Sequence, residues 1–242
     1  MPELMKRVEA VKTTRLQSSR EATRKLAAYP TLFGEDRQPK TRYLAIPSIS
    51  SERRQFIPIG FLEPEIIASN KLVFIPNAEI FHFGILTSTM HMAWTKLVTG
   101  RLESRFQYSN KLVYNNFPWP SDATEAQRVK VEEAAQAVWD AREQFPGSTL
   151  ADLYDPVSMP PKLAKAHEQL DRAVDRCYRK EPFLTDRQRV EYLFALYEQL
   201  AAPLVAVKSP KKSGARKSQT SVSGDQESVP AISGGCEGSE TG

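Results

Sequence analysis

The stretch Phe81–Pro120, FHFGILTSTMHMAWTKLVTGRLESRFQYSNKLVYNNFPWP, decides how the rest of the chain is divided. It contains two of the three tryptophans and two of the three histidines. Its first half has helical periodicity, and its second half is rich in aromatic residues and ends on Pro-Trp-Pro. A basic segment with strand-like patterns precedes it, and acidic helices followed by a polar tail come after it. The pattern therefore predicts two structured parts that meet at Pro120.

A central buried helix is predicted over residues 79–99. Gly84, followed by the small residues Thr87 to Thr89, would allow another element to approach it closely. His91 is interpreted as a hydrogen-bonded core residue, because neither it nor His82 has a carboxylate or cysteine at the spacing of metal ligands. Steps of four, three, four and three positions place five residues on one face of this helix: Phe83, Thr87, Met90, Trp94 and Leu97.

The segment after this helix, residues 101–116, is predicted to be a loop and a strand. Trp119, between two prolines, is expected to pack down and close the unit. The order Asn-Phe-Pro-Trp in residues 116–119 differs from the Asn/Asp-Pro-Pro-aromatic loop with which adenine-N6 methyltransferases hold a flipped base. This stretch is therefore not a catalytic loop. The predicted strand rests on a rough alternation of Phe106, Tyr108, Leu112 and Tyr114.

Upstream, the sequence predicts one helix and three strands. The helix covers residues 3–28 and ends near Tyr29, because Pro30 disfavours the helical conformation in the residue before it. Pro58 would place the second strand at a sheet edge or in a bulge. The three strands, each bounded by Pro, Gly, Ser or Asn, are predicted at 43–46, 55–59 and 71–75.

Downstream, apolar stripes predict three or four helices with short connections, which is typical of a small antiparallel bundle. Asp122 and Glu125 have the spacing of a capping box, and Thr185 is predicted to cap the last helix. Cys177 is interpreted as a small core residue rather than a nucleophile. The inward residues are predicted to be Val131, Ala135, Val138, Phe145, Leu163, His167, Leu170, Val174, Cys177, Val190, Leu193, Phe194, Tyr197 and Leu200.

Composition limits the class of protein. With 40% hydrophobic and 26% charged residues, the chain has the composition of a soluble globular protein. It has no apolar run near the roughly 20 residues of a membrane span, and its N-terminus lacks the apolar core of a secretory signal. Cys177 and Cys236 support neither a disulfide framework nor a zinc site. We therefore expect a cytoplasmic protein without a membrane anchor or a metal.

The tail, 206–242, is expected to be disordered.

The charge is distributed unevenly along the chain. Residues 1–120 contain 17 Lys and Arg against 10 Asp and Glu, whereas residues 121–207 contain 11 against 15. A basic first half permits nucleic-acid contact, and the acidic second half disfavours it. Seven basic side chains between Lys6 and Lys25 would make the first helix either a solvated amphipathic helix or an arm that faces phosphates. The segment KSPKKSGARK in the tail has the same two interpretations.

Two predicted linkers carry the polar side chains that suit DNA contact best. Arginine can bind guanine with two hydrogen bonds, glutamine can bind adenine, and serine can donate to phosphate oxygens. The alternative is an ordinary turn with a local Glu–Arg pair, which the residues by themselves favour. The candidate DNA-binding residues are Arg37, Gln38, Lys40, Arg42, Ser50, Ser51, Arg53 and Arg54.

Several phrases of the sequence resemble one family, the MmeI-like type IIG/IIL restriction–modification enzymes, which are adenine-N6 DNA methyltransferases. They occur in family order and span roughly residues 5–200. The matching phrases are TRKLAAYPTLF (Thr23–Phe33), YLAIPSISSERRQFIPIGFL (Tyr43–Leu62), FGILTSTMHMAW (Phe83–Trp94), YSNKLVYNNFPWP (Tyr108–Pro120), LADLYDPVSMP (Leu150–Pro160) and AHEQLDRAVDRCY (Ala166–Tyr178).

The resemblance implies an α+β fold in two domains. Residues 1–120 would form a strand-containing target recognition domain that faces double-stranded DNA, and residues 121–205 a C-terminal helical domain. It also implies that the Ser50–Arg54 loop would face the DNA. The resemblance also implies that S-adenosylmethionine would bind a catalytic domain that this chain lacks, and a separate methyltransferase chain is one candidate to carry it.

The methyl-transfer motifs are missing from the sequence. No two of the glycines before the tail are close enough to form the turn that binds S-adenosylmethionine, and no Pro-Pro follows Asn or Asp directly. No catalytic, cofactor-binding or metal-binding residue is therefore assigned. We expect a DNA-recognition portion that is inactive by itself. The alternative hypothesis is a non-catalytic helical interaction or structural protein derived from such an enzyme.

Overall fold

The computed structural model describes residues 1–35 and 37–206, with side chains described as far as residue 202. The predicted tail lies outside the described residues from residue 207 onward.

The N-terminal helix is shorter than predicted, because the chain folds back after Leu16. The Arg15 guanidinium donates hydrogen bonds to the carbonyl oxygens of Leu26 at 2.9 Å, Tyr29 at 2.7 Å and Leu32 at 2.7 Å. These bonds hold the second part of the arm against the end of the first, and helical structure ends before Tyr29, as predicted. The arm consists of α1 (Pro2–Leu16), α2 (Glu21–Lys25) and a 3-10 turn (Leu26–Ala28).

The strands form two small antiparallel sheets of three strands each. In the first sheet the order is β3-β1-β4, and in the second it is β2-β6-β5. The predicted strands at 43–46 and 71–75 are confirmed as β1 and β4. The strands are β1 (Tyr43–Pro47), β2 (Ile49–Ser50), β3 (Gly60–Leu62), β4 (Leu72–Pro76), β5 (Gly100–Leu102) and β6 (Arg105–Gln107).

The strand predicted at 55–59 is wrong. Its apolar residues Phe56, Ile57 and Ile59 are buried, but they belong to an irregular segment that leads into β3. Pro58 has no N–H to donate to a ladder, and the Ile59 N–H bonds the Ile57 carbonyl at 2.9 Å in a tight turn. The apolar pattern of this segment therefore indicates that its residues are buried, but it does not indicate a strand.

The predicted central helix is present as two helices that meet at Ser88. This residue has an extended backbone, with φ −82° and ψ 161°. Its hydroxyl donates to the Ile85 carbonyl at 2.7 Å and accepts from the His91 N–H at 3.4 Å, so it ends one helix and caps the next. The two helices are α3 (Ile80–Thr87) and α4 (Thr89–Val98).

Four of the five predicted stripe residues are buried, and the fifth is not. Leu97 is 57% exposed and lies in the last turn of α4, beyond Thr95, the last buried residue of that helix. Gly84 allows the close approach that its sequence context predicts: a Cβ there would lie 2.9 Å from Val131 Cγ1 and 3.0 Å from Ala135 Cβ. The backbone of α3 therefore lies directly against the next long helix.

The predicted strand after α4 is only partly correct. β5 and β6 form a hairpin, after which residues 110–114 form a wide helical turn instead of continuing the strand. Leu112 is consequently exposed. Trp119 closes the unit as expected, with its ring centroid 5.6 Å from that of Phe117, 5.8 Å from that of Tyr114 and 5.8 Å from that of His82.

The second half is helical, as predicted. Its first cap is two residues later than expected, because Thr124 and Gln127 form the capping box in place of Asp122 and Glu125. Thr185 caps the last helix, with its hydroxyl 3.3 Å from the Gln188 N–H. The helices are α5 (Glu125–Glu143), α6 (Leu150–Leu153), α7 (Pro161–Tyr178) and α8 (Asp186–Ala206).

The helices α5 and α7 are antiparallel. Gln127 near the start of α5 donates to the carbonyl of Arg176 near the end of α7 at 2.6 Å. At the other end, Lys162 donates to Gln144 at 2.6 Å. The inward residues of α5 and α7 are buried as predicted, apart from Phe145, which is half-buried, whereas Leu200 of α8 is exposed.

One hydrophobic core joins the two halves. It contains residues of β1, α3 and α4 together with residues of α5, α7 and α8, and residues 1–203 form one compact unit. The α+β class is confirmed, while the domain boundary at residue 120 stays a prediction. Within the described residues, no helix is long and apolar enough to cross a membrane.

Candidate nucleic-acid interface

The Ser51–Arg54 loop is a short turn held by local hydrogen bonds. The Arg54 N–H donates to the Ser51 carbonyl at 3.2 Å, and the Arg53 N–H donates to the Ser51 hydroxyl at 3.2 Å. Arg53 is exposed and Arg54 is half-buried. Neither guanidinium is in an ion pair within the described part of the chain. Both charges are thus available to a ligand.

The register of the second sheet brings a hairpin next to this loop. Ser50 pairs with Phe106, and Ile49 pairs with Gln107. The chain that leaves β2 at Ser51 therefore runs toward Arg105 and the turn between β5 and β6. We call the loop 51–54 and the hairpin 100–107 together the basic edge. Its four arginines are Arg53, Arg54, Arg101 and Arg105.

The hairpin arginines are held by neighbours within the hairpin. The Arg101 guanidinium lies 4.2 Å from the centre of the Phe106 ring, and Arg105 is 2.7 Å from the carboxylate of exposed Glu103. Exposed pairs of this kind add little stability, so Arg105 can exchange its partner for a ligand at small cost. The sequence did not reveal the hairpin, because its turn places Glu103 at φ 58° without Gly or Asn.

The candidate residues between Arg37 and Arg42 do not join this edge. They precede β1, whereas the loop follows β2, so the two groups lie at opposite ends of the β1–β2 segment. Lys40 is exposed, and Arg37 pairs with Glu35. The structure thus divides the eight predicted residues into two separate groups.

Two residues of the first group have structural contacts. The Gln38 amide donates to the carbonyls of Pro64 at 3.0 Å and Ile66 at 2.9 Å, so it holds the turn after β3. The Arg42 guanidinium stacks on Phe61 at 4.4 Å from the ring centre and on Trp139 at 5.4 Å. These contacts give each side chain a role inside the fold, and their predicted role in DNA binding stays a prediction.

Ser50 faces the interior instead of the surface. It is 3% exposed, and its hydroxyl has no hydrogen-bond partner among the described residues. Its register position opposite Phe106 accounts for this burial, because alternate residues of a strand face opposite sides of a sheet. Ser51, the next residue, is half-buried and belongs to the loop.

Buried polar groups connect α4 to the residue that follows β6 and to α7. The His91 ring Nε2 lies 3.0 Å from the Tyr108 hydroxyl, directly after β6. Burial lowers the pKa of His91 to about 3, so the ring is neutral and acts as a core hydrogen-bonding residue, as the sequence indicates. Asp171 of α7 accepts bonds from Thr89 N at 2.7 Å and Thr89 Oγ1 at 2.6 Å, and burial raises its pKa to about 6.

The described residues contain no group of three or more His, Cys, Asp or Glu side chains placed to hold a metal ion. Cys177 is buried in α7, and burial raises the pKa of its thiol to about 11. A thiol that stays protonated is a poor nucleophile. The basic edge therefore remains the candidate for binding, through arginines and backbone turns.

Comparison with known proteins agrees with the resemblance in the sequence. The family model described as the MmeI target recognition domain matches residues 1–121, and the model described as the MmeI C-terminal domain matches residues 123–205. The chain belongs to the MmeI family. The basic edge lies within the part that matches the target recognition domain, and the helices α5 to α8 lie in the part that matches the C-terminal domain.

Two relatives illustrate how much of a family member the chain represents. DNA methyltransferase A of Bacillus subtilis (strain 168) is 41% identical over 199 residues, which are 82% of this chain and 22% of that protein. The solved structure of the type IIL restriction–modification enzyme MmeI in complex with DNA is 47% identical, with a TM-score of 0.78 over 84% of this chain and 27% of that one. The chain therefore spans about a quarter of the length of these relatives. The sequence-based family assignment is confirmed, and the alternative of a non-catalytic helical interaction or structural protein derived from such an enzyme is not favoured.

Proposed function

We propose that the chain binds double-stranded DNA and supplies the sequence recognition of a site-specific adenine-N6 DNA methyltransferase of a restriction–modification system. The observation that carries this proposal is the position of the basic edge inside the part that matches a target recognition domain. The relative with a TM-score of 0.78 was solved in complex with DNA, which supports the same partner for this chain.

The chemistry of the basic edge suits a duplex. Arginines Arg53 and Arg54 carry exposed or half-exposed charge without an ion pair in the described part. Such charges bind phosphates and release condensed counterions, which gives affinity without sequence information. Arginine can also bind guanine with two hydrogen bonds in the major groove. One edge can therefore combine attachment to the backbone with base reading.

A salt titration with duplex DNA tests the proposal. Sites selected from random duplexes should bind more tightly than the starting pool, since each correctly read base pair contributes about 1–3 kcal/mol. The logarithm of the binding constant should fall linearly with the logarithm of salt concentration, by about 0.9 per phosphate contact. Folded protein that binds no duplex at low salt would exclude the proposal.

We propose further that a separate catalytic chain binds S-adenosylmethionine and transfers the methyl group to adenine N6. The support is the sequence itself, in which neither the cofactor turn nor the Asn/Asp-Pro-Pro-aromatic loop occurs. A reading frame adjacent to this one that encodes such a loop would identify the missing chain. Mixing its product with this chain should give site-specific methylation that neither shows alone, and methylation by this chain alone would contradict the division.

Because this chain and the catalytic chain would both act on chromosomal DNA, we propose a cytoplasmic location.

A further inference from the structure

The Ser51–Arg54 loop is anchored at two ends by different parts of the chain. Its first end is fixed by the pairing of β2 with β6. Its second end leads into Phe56, which is 3% exposed and packs on the helical half. Since the loop itself has only local hydrogen bonds, its placement relative to the hairpin depends on these two anchors.

The second anchor is a buried chain of hydrogen bonds from α5, α7 and the residue that follows α6. Arg142 of α5 donates to the Ile59 carbonyl at 2.7 Å and, through Nε, to the Tyr154 hydroxyl at 2.9 Å. Tyr154 follows α6, and its hydroxyl lies 2.7 Å from Nε2 of His167 in α7. The His167 ring then stacks on Phe56, with centroids 4.0 Å apart and planes 20° apart.

The direction of these bonds follows from their chemistry. An arginine can only donate, so the Tyr154 oxygen accepts from Arg142 and its own proton is directed to His167 Nε2. His167 must then be neutral, with its proton on Nδ1. Burial, together with the nearby Arg142 charge, lowers the pKa of His167 to about 3 and keeps the ring in this acceptor state. This arrangement satisfies the Tyr154 hydroxyl and His167 Nε2, and it leaves the buried Nδ1 without a hydrogen-bond partner among the described residues.

We infer that Arg142, Tyr154 and His167 are positioning residues for DNA recognition, which hold the Phe56–Ile59 segment and thereby place the Ser51–Arg54 loop beside the hairpin. This inference rests on the proposed function of the basic edge. It assigns the C-terminal helical part a task in base reading although it contributes none of the arginines of that edge. The three residues lie up to 116 positions after the loop, so only the folded structure brings them together.

The test replaces Tyr154 by Phe, which removes the shared hydroxyl and keeps the ring. The matched control is Tyr178→Phe, because the buried Tyr178 hydroxyl donates to the Pro118 carbonyl at 3.0 Å, and no hydrogen bond or ring contact joins Tyr178 to residues 51–59 in the described structure. For Tyr154→Phe we expect the ratio of affinities for a selected site and for random duplex to fall about tenfold, the equivalent of one base contact. Affinity for random duplex and its salt slope should stay unchanged, and Tyr178→Phe should preserve the ratio.

Amide hydrogen exchange of residues 51–57 gives a second readout that needs no DNA. The exchange should accelerate in Tyr154→Phe and stay at the wild-type rate in Tyr178→Phe. Should Tyr154→Phe fail to fold, His167→Gln removes the stacking on Phe56 and is expected to give the same acceleration. Unchanged exchange in these variants, or an equal fall of the affinity ratio in both tyrosine variants, would overturn the inference. Absence of duplex binding by the wild type would instead refute the proposed function, and the exchange result would still decide the placement of the loop.

Discussion

The basic edge and the helical side of the molecule use arginine in opposite ways. Arg53 in the loop is exposed and has no charged partner in the described structure, whereas Arg142 in α5 is 7% exposed and donates to Ile59 and Tyr154. Loss of a buried charged donor leaves its partners unsatisfied, but loss of an exposed one costs little. The proposed binding residues therefore lie where they can change without loss of the fold, whereas the buried residues that we infer to position them cannot.

The largest effect is expected in the shared core. Trp94 is 2% exposed, donates its indole N–H to the Val113 carbonyl at 3.1 Å and lies 5.2 Å from Phe194 of α8 between ring centroids. Trp94→Ala should lower the free energy of unfolding by about 3–5 kcal/mol, the usual loss for a large buried aromatic residue. Chemical denaturation followed by circular dichroism measures this change.

Leu97 is the matched control on the same helix. It is 57% exposed, so Leu97→Ala should change the free energy of unfolding by less than about 0.5 kcal/mol. Similar losses in both variants would mean that Leu97 is packed in the core like Trp94 and would contradict its exposed position. The pair of variants therefore tests where the buried face of α4 ends.

Much of the fold was predictable because the buried residues of a helix or strand recur in the sequence with the period of that element. The stripe of α7 that includes Leu163 and Leu170 is correct, and so are β1 and β4. The errors occur where side chains override periodicity. Ser88 ends one helix and caps the next. The hydrogen bonds of Arg15 fold the N-terminal segment back after Leu16, whereas the sequence between Leu16 and Glu21 is merely polar and does not predict a break.

The candidate site was less predictable, since it is assembled by pairing between distant segments. The loop at Arg53 was predicted from the residues around it, and its DNA-facing role is an expectation that comes from the family resemblance. Arg105 adjoins it only through the register of β2 with β6, and no local signal marks that pairing. Conversely, Gln38 looks suited to a base but holds the Pro64 carbonyl, a contact that depends on a turn 26 residues away.

A smaller, pH-dependent effect is expected from the buried histidines. The pKa of His167 is lowered from 6.5 to about 3 in the folded state, so between these values the unfolded chain binds more protons. The contribution of the neutral His167 ring to the free energy of unfolding is fully present above pH 6.5 and decreases by about 1.4 kcal/mol per pH unit below that value. The lowered pKa of His91 has the same effect on stability. The free energy of unfolding of the wild type should therefore fall from pH 7 toward pH 5.

His167→Gln isolates one of these contributions. The slope of stability against pH between 6.5 and 6 should decrease by roughly half, because His91 remains. Below pH 6, Asp171 has the opposite effect on stability. Its pKa is raised from 3.8 to about 6 in the folded state, so between these values the folded chain binds more protons and its stability increases as the pH falls. Parallel stability curves of wild type and variant, measured by urea denaturation at several pH values, would contradict this account.

The smallest effect on stability, and the sharpest on binding, is expected at the basic edge. Arg53→Ala together with Arg54→Ala should change the free energy of unfolding by less than about 0.5 kcal/mol, because neither side chain has a charged partner in the described structure. If each contacts a phosphate, the slope of log binding constant against log salt should decrease by about 2 in magnitude. Fluorescence anisotropy with labelled duplex measures this slope.

The control removes the same charge from the helical half, by Lys130→Ala together with Lys180→Ala. Both lysines are exposed, so the net charge falls equally while the basic edge stays intact. An unchanged salt slope in this variant would locate the DNA contact at the loop, whereas equal decreases in both would show that only total charge matters. A loss of several kcal/mol of stability in the arginine variant would show instead that Arg53 and Arg54 hold the loop in place. In that case the contribution of the hairpin is tested in the same way with Arg105, which is exposed.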